Sequence, residues 1–387
     1  MVNNKIDKKI IVLGSTGSVG TQALDVARCN GVRVEGITAA KNSKEAEEQA
    51  RAFGVSFCAM YDEDAAKDLK ARLADTDIKV FSGTDGIVEL IENSAADTAV
   101  NSITGIAGLK PTLAAIDKGM NIALANKETL VTAGDIVMSK AREKGVCVLP
   151  VDSEHCAIFQ CLRCGGHKEV EKLILTASGG PFFGKTKDEL SGITKEQALA
   201  HPTWKMGAKI TVDSATMMNK GFEVIEAYHL FGVPADKIDV VVHRESIIHS
   251  MVEFCDGAVI AQLSVPDMRM CVRYALSYPE RVTGNGKRLD LTEVSKLTFA
   301  KPDEKTFTLL PLAREAISLG GVVPCALNGA NEAAVDLFLH EKISFTDIFT
   351  SVEKVALSFD SVLNPTIDDI FEADKISRIK TKEVFGL

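Results

Sequence analysis

Short apolar runs recur along the first 150 residues, and behind each the apolar positions return every three or four residues. Lys9–Leu13 is such a run, and Val19, Ala23, Leu24, Val26 and Ala27 mark one face of a helix after it. Val32–Thr38 reads as a second strand and Ala46–Phe53 as a helix. Phe57–Tyr61, Lys79–Phe81, Thr98–Asn101 and Asn121–Leu124 are further strands, separated by helical stretches. Strands and helices that alternate in this way predict a parallel sheet covered on both faces.

Past Pro150 the rhythm changes. Leu173–Ala177, Ile238–Val242, Ile247–Phe254 and Ala258–Leu263 read as strands set among longer loops. Ser178–Lys209 is rich in Gly, Pro, Lys and Thr and holds Trp204, the single tryptophan. It is too long for an ordinary connection, so a lid or binding loop is expected there. Tyr278–Thr308 lacks periodicity and reads as a linker. From Leu310 on, Leu312, Ala313, Ala316 and Ile317, then Asn331–His340 and Phe345–Phe359, predict a helical module. The expected fold class is therefore α/β, with a Rossmann-like domain at 1–150, an α/β domain at 151–280 bearing a lid at about 178–209, a linker at 281–309 and a C-terminal helical domain at 310–387.

Composition narrows the function. The 387 residues are 46% hydrophobic and 25% charged, as in an ordinary globular protein. A net charge of −9 and a pI near 5.4 argue against general binding of nucleic acid or anionic membranes. No apolar run is long enough to span a bilayer. Met1-Val2-Asn3-Asn4-Lys5 leads almost directly into the first strand with no signal-peptide core, so a cytoplasmic protein is expected, a trimmed organelle leader staying open. Nine cysteines in this length read as reduced thiols. Cys161-Leu162-Arg163-Cys164, near His155 and His167, invites a zinc or redox reading, but no second cysteine pair stands at zinc spacing.

Chemistry concentrates in a few segments. Gly14-x-x-Gly17-x-x-Gly20 joins the first strand to a helix, where glycines permit a tight turn and the helix N-terminus favours pyrophosphate. Glu35 lies in mid-strand, and the second strand ends in Ala39-Ala40-Lys41-Asn42-Ser43 rather than in an acid. A cation there favours NADP over NAD. Asn126-Lys127-Glu128 stands at a strand's C-terminal end, where α/β sheets bind ligands; a capped helix start would also explain Asn126 and Glu128. Asp152 and Glu154 flank Ser153; in extended geometry they point the same way and, with Glu223, form an oxygen site for Mg²⁺ or Mn²⁺. A surface acid pair at a helix N-terminus is the alternative. Ser214-Ala215-Thr216-Met217-Met218-Asn219-Lys220-Gly221-Phe222-Glu223 gathers a hydroxyl, an amide, an ammonium and a carboxylate. If it opens a helix, Asn219, Lys220 and Glu223 share one face, with donors suited to phosphate, while Met217 and Met218 point into the core.

Read together, these segments resemble the 1-deoxy-D-xylulose 5-phosphate reductoisomerases. The resemblance rests on Gly14-Ser15-Thr16-Gly17-Ser18-Val19-Gly20, Ala125-Asn126-Lys127-Glu128, Pro150-Val151-Asp152-Ser153-Glu154-His155 and Thr176-Ala177-Ser178-Gly179-Gly180-Pro181-Phe182. It continues through His201-Pro202-Thr203-Trp204-Lys205-Met206-Gly207, Val212–Glu223, Ser246–Glu253 and Pro266-Asp267-Met268-Arg269, in order along nearly the whole chain.

The resemblance implies an NADPH- and metal-dependent rearrangement and reduction of a small phosphorylated sugar, with Mg²⁺, Mn²⁺ or Co²⁺ on Asp152, Glu154 and Glu223. It implies phosphate contacts from Ser178, Ser214, Asn219 and Lys220. Ser153, Lys127 and His201 would contact the rest of the substrate, and Trp204 would be the lid aromatic. Lys127, Asp152, Glu154, His201 and Glu223 would be the catalytic set. Ser15, Thr16, Gly17, Ser18 and Val19 would hold the pyrophosphate; Ala40, Lys41 and Asn42 the NADP phosphate; Asn126, Lys127, Glu128, Met206 and Gly207 the remaining cofactor contacts. A homodimer is expected, with neither nucleic-acid nor membrane partners. Retro-aldol/aldol and α-ketol routes are both compatible with these residues. The chain departs from the family pattern at Ala40 (often Gly), Cys156 (usually Asn), Arg244-Glu245 (a Pro-Gln type pair) and Cys271 (commonly Pro).

Overall fold

Seven strands form one sheet: β1 (Lys9–Leu13), β2 (Arg33–Ala39), β3 (Phe57–Met60), β4 (Lys79–Ser82), β5 (Thr98–Asn101), β6 (Asn121–Leu124) and β7 (Val148–Pro150). Their order is β4-β3-β2-β1-β5-β6-β7, and every pair is parallel. The chain works outward from β1 to β4, then returns to place β5 on the other side of β1. That reversal opens a crevice at the carboxyl ends of β1 and β5, which is where dinucleotides bind in doubly wound folds. Ile10, Ile11, Val12 and Leu13 are fully buried, as a central strand requires. This computed structural model describes residues 4–204, 206–362 and 364–387. Met1, Val2 and Asn3 of the N-terminal segment, Lys205 of the expected lid and Leu363 lie outside the described residues.

Contacts group the chain into two compact units. The first comprises residues 1–129, 136–156 and 267–287. Its last piece contains the helix Met268–Ser277, whose Arg273 Nε donates to Asn30 Oδ1 at 3.2 Å. Asn30 Nδ2 in turn donates to Thr283 O at 3.1 Å. The contacts therefore divide the chain differently from the functional domains expected by sequence order. Asp267 caps that helix by accepting from the Arg269 amide at 3.0 Å.

The second unit comprises residues 130–135, 157–266 and 288–387. Its sheet contains β8 (Val170–Ala177), β9 (Ile238–Val242), β10 (Ile248–Phe254) and β11 (Val259–Leu263) in the order β11-β10-β8-β9. β8 and β9 are parallel, whereas β10 runs antiparallel to β8 and β11. The helix Met218–Phe231 lies against Leu309–Leu319, and Gly221 allows the approach: a Cβ there would fall 2.7 Å from Ala313 Cβ. Helices Val323–Leu339, Phe345–Ala356 and Ile367–Glu383 complete the C-terminal module around buried Phe345, Ile348 and Val352. The stretch read as a linker is not featureless. It holds a short helix at Leu291–Val294, and Ala300 bridges to Val242. Among the described residues no helix is long and apolar enough to cross a membrane.

Candidate active site

In the first unit the glycine loop follows β1. Gly14 has φ +82, and a Cβ on Gly20 would fall 2.1 Å from Gly14 O, so neither position accepts a side chain without displacing the turn. Gly17 begins the helix Ser18–Asn30 in extended conformation with no side-chain cap. No acid occupies the helix's first turn, so its amide groups and positive dipole end are open to an anion. Gly17 and Ser18 are exposed, Thr16 and Val19 half-buried, while Ser15 is buried and its backbone carbonyl accepts from Gln49 Nε2 at 3.1 Å. Thr38 O, near the end of β2, accepts from the Gly14 and Ser15 amides at 3.1 and 2.8 Å, which ties the loop to β2.

Glu35 is unsuited to a ribose. It is buried and accepts from Ser94 Oγ at 2.8 Å. Ala40, Lys41 and Asn42 lie exposed just beyond the end of β2. Asn42 caps the helix Ser43–Phe53, accepting from the Glu45 amide at 3.2 Å and donating to Glu45 Oε2 at 2.7 Å. Lys41 is left as the cation at the strand end. Asn126 is a hub: Nδ2 donates to Ile103 O and Gly105 O at 2.5 and 2.9 Å, and Oδ1 accepts from the Thr129 amide at 2.8 Å. It holds the turn after β5 to the start of the helix Glu128–Lys144, in whose first turn buried Glu128 receives Asn126 Nδ2 at 3.2 Å. Ser102 was missed in the sequence; its Oγ donates to Leu13 O at 2.8 Å and stitches β5 to the end of β1.

The acid segment differs from the extended geometry expected for it. β7 stops at Pro150 and a helix begins at Ser153. Asp152 occupies the helix entrance, its carbonyl accepting from the Cys156 amide at 2.8 Å and its carboxylate from the Glu154 amide at 3.3 Å. The helix-start alternative is therefore right about conformation, but the pair is not a surface feature. Asp152 Oδ2 lies 2.9 Å from Lys127 Nζ and Oδ1 3.3 Å from His155 Nδ1, with all three side chains largely buried. Burial resists ionisation of Asp152, yet Lys127 and His155 hold its carboxyl well below the usual range. Ser153 Oγ donates a short hydrogen bond to Glu154 Oε2. Two departures from the family pattern meet here: buried Cys156 hydrogen-bonds buried Cys271, which with desolvation pushes the Cys271 thiol well above its usual range. A thiol raised in this way is a poor nucleophile and ligand.

In the second unit, the run Ser214–Glu223 straddles a break rather than opening one helix. Ala208–Ala215 ends, Met217 turns at φ 64, and the helix Met218–Phe231 begins. Met217 and Met218 are buried, as expected. Asn219, Lys220 and Glu223 share a face: Asn219 Nδ2 donates to Glu223 Oε1 at 2.6 Å, and Lys220 Nζ pairs with Glu223 Oε2. The turn after β8 comes against the Ser214 backbone. Gly179 and Gly180 have φ +76 and +64, and a Cβ on Gly180 would fall 2.6 Å from Ser214 O. This contact of backbone on backbone seats Ser178 beside Ser214.

His201 fixes the Ser178 hydroxyl. Its Nδ1 accepts from the Thr203 and Trp204 amides at 3.2 and 3.0 Å, so the proton sits on Nε2, which donates to Ser178 Oγ at 2.9 Å. Ser178 Oγ also accepts from the Gly180 amide at 3.3 Å. With both lone pairs used, its O–H is left to donate. Burial, and then the Arg244 guanidinium, lower the pKa of His201. Below the unfolded value of about 6.5, the unfolded chain takes up a proton that the native ring resists, so stability falls as pH drops through that window and is unaffected above it. His201→Gln should lose less stability than the native protein between about pH 7.5 and about pH 5.5 in urea unfolding. Equal losses would count against a neutral His201.

The segment 178–209 contains a short helix, Lys195–Leu199, capped reciprocally by Thr194 and Gln197. Trp204 is half-buried, its ring centroid 6.3 Å from that of His249, while Met206 is half-buried and Gly207 exposed at the start of the helix Ala208–Ala215. Sequence reasoning missed the support behind Ser214. Buried Asp213 binds Lys209 Nζ at 2.9 Å and Asn331 Nδ2 at 2.7 Å, so the C-terminal module braces the helix that carries Ser214. The Cys161/Cys164 reading gains nothing. Burial pushes the Cys161 thiol to about 12, His167 Nε2 is 2.6 Å from Phe231 O, and no cysteine joins a potential ligand group among the described residues.

Comparison with known proteins places this geometry. Residues 10–134 match the family described as 1-deoxy-D-xylulose 5-phosphate reductoisomerase, 148–231 its C-terminal domain, and 263–380 the DXP reductoisomerase C-terminal domain. The chain is 52% identical over 371 residues to 1-deoxy-D-xylulose 5-phosphate reductoisomerase of Thermoanaerobacter pseudethanolicus, covering 95% of this chain and 97% of the relative. It is 53% identical over 376 residues to that of Acetivibrio thermocellus, covering 97% and 99%. The Zymomonas mobilis enzyme solved with NADPH superposes at a TM-score of 0.92 and 41% identity, over 98% of this chain and 99% of that one. A DOX-P reductoisomerase solved with NADPH, fosmidomycin and magnesium does so at 0.92 and 38%, over 98% of each chain. Agreement of this kind along nearly the full length means that the chain belongs to the 1-deoxy-D-xylulose 5-phosphate reductoisomerase family.

Proposed function

We propose that the two units divide the labour of the family's reaction, the NADPH- and divalent-metal-dependent conversion of 1-deoxy-D-xylulose 5-phosphate to 2-C-methyl-D-erythritol 4-phosphate in non-mevalonate isoprenoid synthesis. The observation that carries this reading is the second unit's cradle. Asn219 and Lys220 offer an amide and an ammonium beside Glu223, and the Gly180 turn brings the segment of Ser178 against the Ser214 backbone, adding two hydroxyls to a donor set suited to a phosphate next to a metal-binding acid. Functionally, residues 1–150 bind NADPH, 151–280 form the catalytic and connective domain with its lid at 178–209, 281–309 link, and 310–387 brace the cradle.

The donors suit a hard ion. Asp152, Glu154 and Glu223 supply only carboxylate oxygens, the ligands Mg²⁺ and Mn²⁺ prefer. When bound, the ion supplies Lewis acidity to the substrate's carbonyl and hydroxyl oxygens, and NADPH supplies the hydride. The chain's residues then position and exclude. Lys127 holds Asp152 ionised and offers an ammonium to a substrate oxygen. Ser153 steadies Glu154, and neutral His201 steadies Ser178. The phosphate grip supplies remote binding energy, and closure of the lid over Trp204 excludes water. Incubation with NADPH, Mn²⁺ and 1-deoxy-D-xylulose 5-phosphate, followed by absorbance of the reduced cofactor, tests the whole reading. No consumption of NADPH would sink it.

Lys41 carries the choice of NADPH over NADH. Lys41→Ala should weaken NADPH about tenfold and leave NADH nearly unchanged, as one charge-assisted contact predicts. Equal use of both cofactors by the unmodified protein would refute the assignment. Trp204 reports the lid: NADPH with substrate or a phosphonate should change its fluorescence, and a signal blind to both would place the lid elsewhere. A cytoplasmic location fits nine cysteines that form no disulfide. A homodimer fits β11, a sheet edge on which Val259 is 48% exposed.

A further inference from the structure

We infer that Arg244 is a positioning residue for the substrate phosphate: its guanidinium pins the Gly179-Gly180 turn and adds an uncompensated positive charge to the cradle of Ser178, Ser214, Asn219 and Lys220. The inference rests on the phosphate reading above.

Three observations carry it. First, Arg244 Nη1 donates to Gly180 O at 3.0 Å. Gly180 is the residue whose missing Cβ lets the turn lie against Ser214, so this hydrogen bond holds the turn at the point where Ser178 and Ser214 are brought together. Second, the guanidinium is half-buried, with Cζ 5.1 Å from the Phe183 ring centroid. The ring and the carbonyl fix its plane and leave several of its five N–H donors unspent. Third, no carboxylate neutralises it within ion-pair distance among the described residues. The adjacent Glu245 is committed elsewhere, accepting from the Thr298 amide and hydroxyl at 3.2 and 2.7 Å and lying 3.1 Å from His243 Nδ1. A partly desolvated cation without a counter-ion is costly unless an anion completes it. The dianionic phosphate of the substrate is the anion this cradle takes. The same charge disfavours a proton on His201, which preserves the donor pattern at Ser178.

A merely structural Arg244, stacked on Phe183 and stitched to a carbonyl, would affect stability without separating substrate binding from turnover. The test uses the full chain with Mg²⁺ and NADPH, and compares Arg244→Met, Arg244→Gln, Arg244→Lys and Ser214→Ala. It measures kcat, KM for each substrate, and competitive inhibition by methylphosphonate as a probe of the cradle alone. Arg244→Met should raise KM for the sugar phosphate and Ki for methylphosphonate about tenfold, with kcat and KM for NADPH within about threefold. Arg244→Lys should recover most of the loss in Ki, because the charge remains. Arg244→Gln keeps a donor for Gly180 O without the charge and should resemble Met, so it carries the test if Arg244→Met does not fold. Methylphosphonate inhibition within twofold of the native value in a folded Met or Gln variant, while Ser214→Ala weakens it, overturns the role of Arg244 alone. If Ser214→Ala also leaves it unchanged, the phosphate reading fails and Arg244 with it.

Discussion

Replacing Glu223 with Gln should raise the Mg²⁺ or Mn²⁺ concentration needed for half-maximal turnover by about a hundredfold or more, and leave NADPH affinity within about threefold. Glu223 is 1% exposed and receives Asn219 Nδ2 on one oxygen and Lys220 Nζ on the other. Gln preserves the shape but removes the charge, and it turns an NH₂ group toward one of two donors. The proposed ion site loses a negative charge, and Lys220 loses a counter-charge in a buried place. Breaking a buried pair from one side costs about 3–5 kcal/mol, so part of the effect could be loss of fold. Thermal melting with and without NADPH separates the two, since the glycine loop and Lys41 belong to the first unit. Asp152→Asn is the matching variant there, where Lys127 plays the part of Lys220. EDTA should abolish turnover, and Mg²⁺ or Mn²⁺ should restore it. Normal metal dependence in Glu223→Gln, or fosmidomycin binding equally well to metal-free protein, would falsify the carboxylate assignment.

The strands were legible because the first unit's sheet is buried on both faces. Ile10–Leu13, Ala99–Val100 and Ile122–Leu124 are apolar, and each lies in a strand within a residue of its expected bounds. The glycine loop was legible because a strand, a spaced glycine set and a helix occur in order. What lay hidden is conformational or long-range. Nothing in the residue Met217 announces a φ of 64, so the break between two helices inside Ser214–Glu223 was invisible although the shared face of Asn219, Lys220 and Glu223 was not. For Asp152-Ser153-Glu154 the sequence leaves extended geometry and a helix entrance both open, and the capping hydrogen bonds at Asp152 select the second. The pairing of Asp213 with Asn331 spans 118 residues, and that of Asn30 with Arg273 spans 243; no local pattern encodes either. Resemblance to a family supplied roles for Ser178 and His201, but only geometry gave the direction of the hydrogen bond between them.

Gly180→Ala should raise KM for the sugar phosphate by about a hundredfold and cost about 2–4 kcal/mol of stability, whereas Gly184→Ala, four residues on, should cost only about 1 kcal/mol and spare substrate binding. Both glycines have positive φ, +64 and +85, so both substitutions carry the same left-handed penalty. They differ in what the new methyl meets. At Gly184 nothing lies within 4 Å. At Gly180 the methyl would sit 2.6 Å from Ser214 O and 3.1 Å from Ser214 C, and neither atom belongs to a flexible side chain. The turn must back away from the Ser214 backbone, and Ser178, two residues upstream, moves with it. Arg244 loses its hold on Gly180 O in the same displacement. Phosphate donors separated by even about 1 Å no longer converge on one group, and misplacement of that size can cost on the order of a hundredfold in rate. The glycine loop and Lys41 lie in the first unit, away in sequence from either substitution, so NADPH affinity should persist in both variants, which serves as the control for fold. If the two alanine variants show the same KM for the sugar phosphate, left-handed strain alone accounts for Gly180, and the contact with Ser214 does not build the cradle.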